Sequence, residues 1–299
     1  MLIVYHIFSL VTTLVAIFSS SAAMTNFQAN RPSSFEFLAG IFDGKGNVAV
    51  NSKGSGLILT LSRANEAEAK TPPKILVYAQ NVLGGTNEPK ILSNRPNTAS
   101  STKQCYQLSI TTKSAQRELL SLVLPHLQSK RGLANLALEF IDLDSRLRED
   151  KALLAQRIRA LKKSCAEGFD VVGAQSISST FVSGLVQSGV GSLEYYDGCL
   201  RFAVNSAPMG KLFDQVWQYV PNSDGKSCLN GRTGEFVLRG SNAYVFLSWI
   251  REHMLDGDTR TMKVDTLISL YEDFSRPRFA PLSPDEETQR QALAKQLRQ

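Results

Sequence analysis

One order of secondary-structure signals runs twice along this chain, and a repeat of that kind narrows the fold more than composition can. The first pass opens at Ser33-Ser34, a capping pair, with Glu36 ahead of the apolar run Phe37-Leu38-Ala39-Gly40-Ile41-Phe42. That run reads as a short helix. Asp43-Gly44-Lys45-Gly46 stops it, because two glycines two apart do not hold helical geometry cheaply. Strand-like runs follow at 47–51 and 56–63, around a turn at 52–55. Thr71-Pro72-Pro73 then opens a helix that ends at Gly84-Gly85. Two more strands, at 89–94 and 105–111, precede helices at 114–127 and 132–147.

The second pass is shorter. Residues 180–187 read as a helix of small and apolar side chains, broken by Ser188-Gly189-Val190-Gly191. Strands at 193–196 and 200–205 flank Asp197-Gly198, a two-residue hairpin signal. A helix at 211–220, strands at 226–229 and 235–239, and helices at 244–254 and 263–273 complete it. Between the passes, 149–163 keeps its leucines and isoleucine at helical spacing with charges elsewhere, and reads as an amphipathic connector. The expected division is a first module at 33–147, a helical linker at 148–175, a second module at 176–273 and a loose polar tail at 274–299. Two halves sharing one element order imply an internal pseudo-twofold axis.

Composition sets wider bounds. A chain of 299 residues that is 43% hydrophobic can fill real cores, and 33 Lys and Arg against 27 Asp and Glu leave a net +6. That excess permits a polyanionic partner without demanding one. Cys105, Cys165, Cys199 and Cys228 stand far apart, with no CxxC pair and no His at ligand spacing. The pattern argues against a zinc site or a disulfide framework and fits a reducing compartment. Residues 2–18 carry no Asp, Glu, Lys or Arg and run into Ser-Ser-Ser-Ala-Ala. No basic residue precedes this leader (1–23), so two readings stay open: a signal or membrane anchor on a secretory route, or a reading-frame extension with translation from Met24.

The stretch 37–48, FLAGIFDGKGNV, resembles the signature helix of the LAGLIDADG homing endonucleases. The likeness extends to PHLQSKRGLANLALEF at 125–140, similar to the P-x-L-x-x-K turn and final helix of that family, and to VLGG at 82–85 and YQLSI at 106–110. In the second half FVSGLVQSGVGS at 181–192 resembles a worn second copy, and DTRTMKVDTLISLYE its final helix. The resemblance implies an α/β (α+β) fold of two pseudo-symmetric αββαββα modules forming a saddle. Ala39 and Gly40 would meet Ser183 and Gly184 where two helices touch at the axis. It also implies two acids at the helix ends that bind Mg²⁺ and activate water for phosphodiester hydrolysis. Lys45 and Gly189 stand where those acids belong, so cutting is expected to be impaired or lost. Asp43 and Lys130 remain as candidate catalytic residues, Arg260 is the counterpart of Lys130, and Asp43 or Glu194 is the alternative ligand from a displaced position.

The implied partner is double-stranded DNA, bound by a monomer across the strands of both halves, in an intron-encoded protein of a chloroplast or mitochondrion. A group I intron RNA, bound by a maturase, is the alternative. Strand alternation puts Gln107, Ser109 and Thr111 on one face, and Arg201 and Asn205 on another. Asn47, Lys53, Arg63, Lys90, Arg95, Lys226, Asn230, Arg232 and Arg239 join them as candidate contacts to bases or phosphates.

Overall fold

The apolar run from Phe37 folds into a helix, α1 (Ser34–Lys45), with Glu36 in its first turn and Lys45 in its last, the order that the helix dipole favours. The computed structural model describes residues 34–64, 71–85, 90–91, 105–144, 146–165, 177–196, 199–274 and 283–296. The leader (1–23), Arg95, the Asp197-Gly198 turn, and Pro277 and Pro281 of the tail lie outside the described residues. After α1 come β1 (Gly46–Val50), β2 (Leu57–Ala64), α2 (Lys74–Val82), β3 (Lys90–Ile91), β4 (Cys105–Ile110), α3 (Lys113–Val123) and α4 (Arg131–Asp142). The charged connector is α5 (Arg148–Cys165). The second half runs α6 (Ser179–Gln187), β5 (Ser192–Tyr196), β6 (Cys199–Val204), α7 (Ala207–Trp217), β7 (Phe236–Arg239), α8 (Ser241–Arg251) and α9 (Thr259–Phe274).

Each half builds one antiparallel sheet, four-stranded in the order β1-β2-β4-β3 and three-stranded in the order β5-β6-β7. Period-two alternation decides which face each sheet buries. In β2, Leu57, Leu59 and Leu61 are buried, and in β4 Tyr106, Leu108 and Ile110 are, while Gln107 and Ser109 stay half-open on the other side. The register places Leu59 opposite Ile110 and Leu61 opposite Leu108, so one face of this sheet is a continuous apolar floor under the helices. The second sheet rests on a cluster of aromatic rings: Phe202 stacks on Phe246 with centroids 4.9 Å apart, and Phe213 packs against both Phe202 and Phe236.

Three expectations need correction. Residues 226–229 form no strand; Leu229 makes only an isolated bridge to Phe236. The reason is Asp214 of α7, whose carboxylate accepts from the Cys228 amide (2.7 Å), a donor a ladder would use, and anchors the segment further through the Ser227 hydroxyl (3.0 and 2.9 Å). The tail, read as loose, contains a helix, α10 (Pro284–Gln296), capped by Ser283 and with Leu293 packed against the core. Finally α7 and α9 start four residues earlier than their apolar periodicity suggests, the first with a proline in its opening turn and the second after Asp258, which accepts from the Arg260 amide.

The halves are joined where α1 and α6 pass. A Cβ built on Gly40 would run into the Phe181 carbonyl oxygen and stand 2.9 Å from the Leu185 nitrogen. A Cβ on Gly184 would meet the Phe37 carbonyl oxygen and stand 3.2 Å from the Ile41 nitrogen. The contact is thus reciprocal and made backbone to backbone, which only glycine allows. Ser183, expected at this contact, turns away instead: its hydroxyl bonds the Ser179 and Ile250 carbonyls, tying α6 to α8. Gly40→Ala is expected to cost about 3 kcal/mol in urea unfolding, because backbone must move. Gly225→Ala, at a positive φ but with open space around it, should cost about 1 kcal/mol.

Candidate functional site

The end of α1 is held from a distance in sequence. Asp43 is buried, and its carboxylate accepts from the backbone N–H groups of Gln128 (2.7 Å), Ser129 (3.0 Å) and Lys130 (2.9 Å) and from the Ser129 hydroxyl (2.8 Å). It therefore fixes the turn that leads into α4, a helix whose own N-cap, Lys130, makes no side-chain capping bond. Lys130 answers in the other direction. Its ammonium donates to the carbonyls of Phe42 (2.8 Å), Asp43 (2.8 Å) and Gly46 (2.7 Å), the acceptors that α1 leaves open at its C-terminus. An ammonium has three donors, and all three are occupied by protein. The two candidate catalytic residues of the first half are thus a reciprocal clasp between α1 and α4.

The second half repeats the clasp with other residue types. Gln187, at the last position of α6 and fully buried, accepts from the Leu255 amide (2.8 Å) and donates to the Leu255 carbonyl (3.2 Å). Arg260, in the first turn of α9, donates to the carbonyls of Gly191 and Val190, just past the end of α6. Gln187 does the work of Asp43, and Arg260 that of Lys130. Neither equivalence rests on identity of side chain; each rests on which backbone groups are satisfied.

The two central helices cross at their glycines; α1 runs directly into β1, α6 reaches β5 through residues 188–191, and their C-terminal ends lie side by side. Lys45 and Gly189 meet there. Gly189 has φ of +101°, and a Cβ on it would stand 3.6 Å from Cε of Lys45 and press on the Arg63 guanidinium. Arg63 therefore sits at the centre of the molecule. A candidate contact to bases or phosphates by its sequence, it shares the buried face of β2 with Leu57, Leu59 and Leu61 and is only 8% exposed. A cleft of about 410 Å³ opens here, lined by Lys45, Gly189, Asp43, Lys130, Asn205 and Met209 among others.

Comparison with known proteins now bears on this arrangement. No family model matches the sequence, and no curated protein matches it. Solved structures do match. The meganuclease I-AabMI, solved bound to uncleaved DNA, superposes with a TM-score of 0.55 at 13% identity, over 88% of this chain and 98% of that one. The homing endonuclease I-LtrWI, solved bound to its target DNA, gives 0.59 at 10% identity, over 88% and 97%. The fold is that of the LAGLIDADG homing endonucleases.

On the LAGLIDADG frame the remaining candidates fall into three groups. Asn47, Lys90, Gln107 and Ser109 lie on the open face of the four-stranded sheet, with Lys53 exposed in the β1–β2 turn and Thr111 exposed just past β4. No acid stands among the described strand residues of that face. Asn47 is partly engaged: it donates to the Thr60 hydroxyl (3.4 Å) and accepts from Lys162 of α5. Gln107 donates to Ser109 at 2.8 Å. The second group, on the three-stranded sheet, is electrically different. Arg201, expected to be available to a partner, is clamped between Glu194 (2.7 Å) and Glu235 (2.9 Å), with Arg239 opposite it in register. Glu194, the alternative metal ligand, is thereby engaged away from the helix ends. The third group, Lys226, Asn230 and Arg232, is exposed on the irregular loop before β7, where the Asn230 side chain accepts from the amides of Arg232 and Thr233 and shapes the turn.

The position of Arg63 was readable from the alternation of LILTLSRA, which puts it in step with the three leucines. Gln187 and the two glutamates carried no comparable signal. If Asp43 is a clasp, Asp43→Ala should lower stability in urea by about 3 kcal/mol with no nucleic acid present, and Asp43→Asn by roughly half as much, since one carbonyl oxygen still accepts.

Proposed function

We propose that this chain is a monomeric, sequence-specific double-stranded DNA-binding protein of homing-endonuclease descent that has lost metal-dependent cleavage. The observation that carries the reading is the open face of the four-stranded sheet, where Asn47, Ser62, Gln107 and Ser109 present neutral donors and acceptors and no acid stands among the described strand residues. A two-stranded ribbon of this kind fits the major groove, where base edges offer a distinct donor and acceptor pattern for each pair. Both structural neighbours were solved bound to DNA, which supports DNA as the partner. Loss of cleavage is supported by Lys45 and Gly189 at the helix ends and by the engagement of Asp43 in the clasp. An origin within a group I intron of an organelle is the setting this reading favours.

The halves should contribute unequally. Arg201 between two carboxylates offers little net charge to a phosphate, so sequence choice is assigned mainly to the first sheet. The test measures binding to the intron-insertion sequence, to scrambled duplex and to the intron RNA, with cleavage followed in Mg²⁺ and Mn²⁺. The expected result is preference for the insertion sequence and no cutting in either ion. Gln107→Ala should cost about 1–3 kcal/mol on that sequence and relax choice at one base, whereas Lys53→Ala should weaken all duplexes alike and flatten the salt dependence. Specific double-strand cuts sink the loss of cleavage. Preference for none of the three sinks recognition, and preference for the RNA puts the maturase reading in its place.

A further inference from the structure

The donor set at the meeting of the helix ends does not fit the divalent ion that the LAGLIDADG resemblance implies. Mg²⁺ demands oxygen ligands. Position 45 supplies an ammonium, and position 189 supplies no side chain, being denied one by its positive φ and by the Arg63 guanidinium. Asp43, the carboxylate lining the cleft, spends both oxygens on the turn before α4. Among the described residues no group of three His, Cys, Asp or Glu could share an ion.

What the same groups fit is an anion. Resting on the DNA-binding reading above, we propose that the cleft between the helix ends binds a DNA backbone phosphate directly, with the Lys45 ammonium in place of a metal ion as its counter-charge. Lys45 is exposed, and no hydrogen bond or ion pair to it occurs among the described residues. It differs in this from Lys130, whose charge faces three carbonyls. Gly189 brings the chain close beside Lys45, and the buried Arg63 guanidinium, packed against Gly189, adds positive charge near the cleft. The cleft of about 410 Å³ has room for a phosphodiester and accompanying water. A charge-assisted bond from an ammonium to a phosphate oxygen needs no ion. The position lies between the two sheets, where a duplex laid across both would bring its backbone. Held this way, the phosphate is positioned but not activated for attack.

The experiment titrates the full chain with a scrambled-sequence duplex over a range of KCl, once with EDTA and once with Ca²⁺. Wild-type affinity should be the same within about twofold in the two conditions. Lys45→Ala should reduce the steepness of log K against log[KCl] by about 0.9, the contribution of one phosphate, and Lys45→Arg should restore it. An unchanged slope for Lys45→Ala overturns the proposal while leaving DNA binding intact. So does wild-type affinity that rises about tenfold with Ca²⁺. Failure of the wild type to bind any duplex overturns the DNA-binding reading itself, and this proposal with it.

Discussion

Two glycines set the geometry on which everything else rests. Gly40 and Gly184 each occupy a place where a single added carbon would strike the carbonyl of the other helix, so α1 and α6 approach until backbone touches backbone. Such closeness fixes both the distance and the relative phase of the two helices, because a helix pair in backbone contact cannot slide or roll without a clash. The first helix runs straight into the first strand of its sheet, and the second is joined to its own by four residues. The crossing therefore decides where the sheets stand and which residues meet at the helix ends. Positions 45 and 189 are neighbours because positions 40 and 184 are glycine.

A crossing alone would leave the helix ends free to fray, and the clasps prevent that. In both halves a side chain near the end of the central helix satisfies the turn before the last helix, and a cation from the start of that last helix satisfies the carbonyls in return. The first half uses Asp43 and Lys130, the second Gln187 and Arg260. The pairing in the first half is charged and the one in the second is neutral on one side. This is consistent with a requirement for donors and acceptors at fixed backbone positions rather than for charge as such.

Element order, the glycine crossing and the face alternation of β4 were legible in the sequence because each depends on local periodicity or on residue size. The clasps were not: Asp43 reaches residues more than eighty positions away, and no local pattern distinguishes a structural carboxylate from one that binds an ion. The missing strand at 226–229 has a related cause, since Asp214 takes the Cys228 amide through the tertiary fold. The partners of Arg201 lie off its own strand, one on β5 opposite it in register and one just ahead of β7, so nothing local marks it as engaged. The starts of α7 and α9 fall ahead of their apolar periodicity because a proline and an aspartate, not apolar residues, mark their first turns.

Pseudo-symmetry and equivalence are not the same thing, and the two sheets show the difference. The first has four strands over an aliphatic floor, with an open face that carries Lys90 and no acid among its described strand residues; the second has three strands over stacked phenylalanines, and its open face carries Glu194 and Glu235 around Arg201. A duplex across both would meet neutral readers on one side and a nearly balanced charge cluster on the other. Phosphate attraction is summed over the whole contact, so a sheet that contributes little net charge shifts the weight of binding toward its partner and toward the cations at the axis. A two-acid metal site needs its two ends alike, whereas one phosphate held by one lysine does not. The departure from symmetry at Lys45 and Gly189 is thus of one kind with the departure between the sheets: the fold keeps its twofold backbone while the chemistry hung on it has become one-sided.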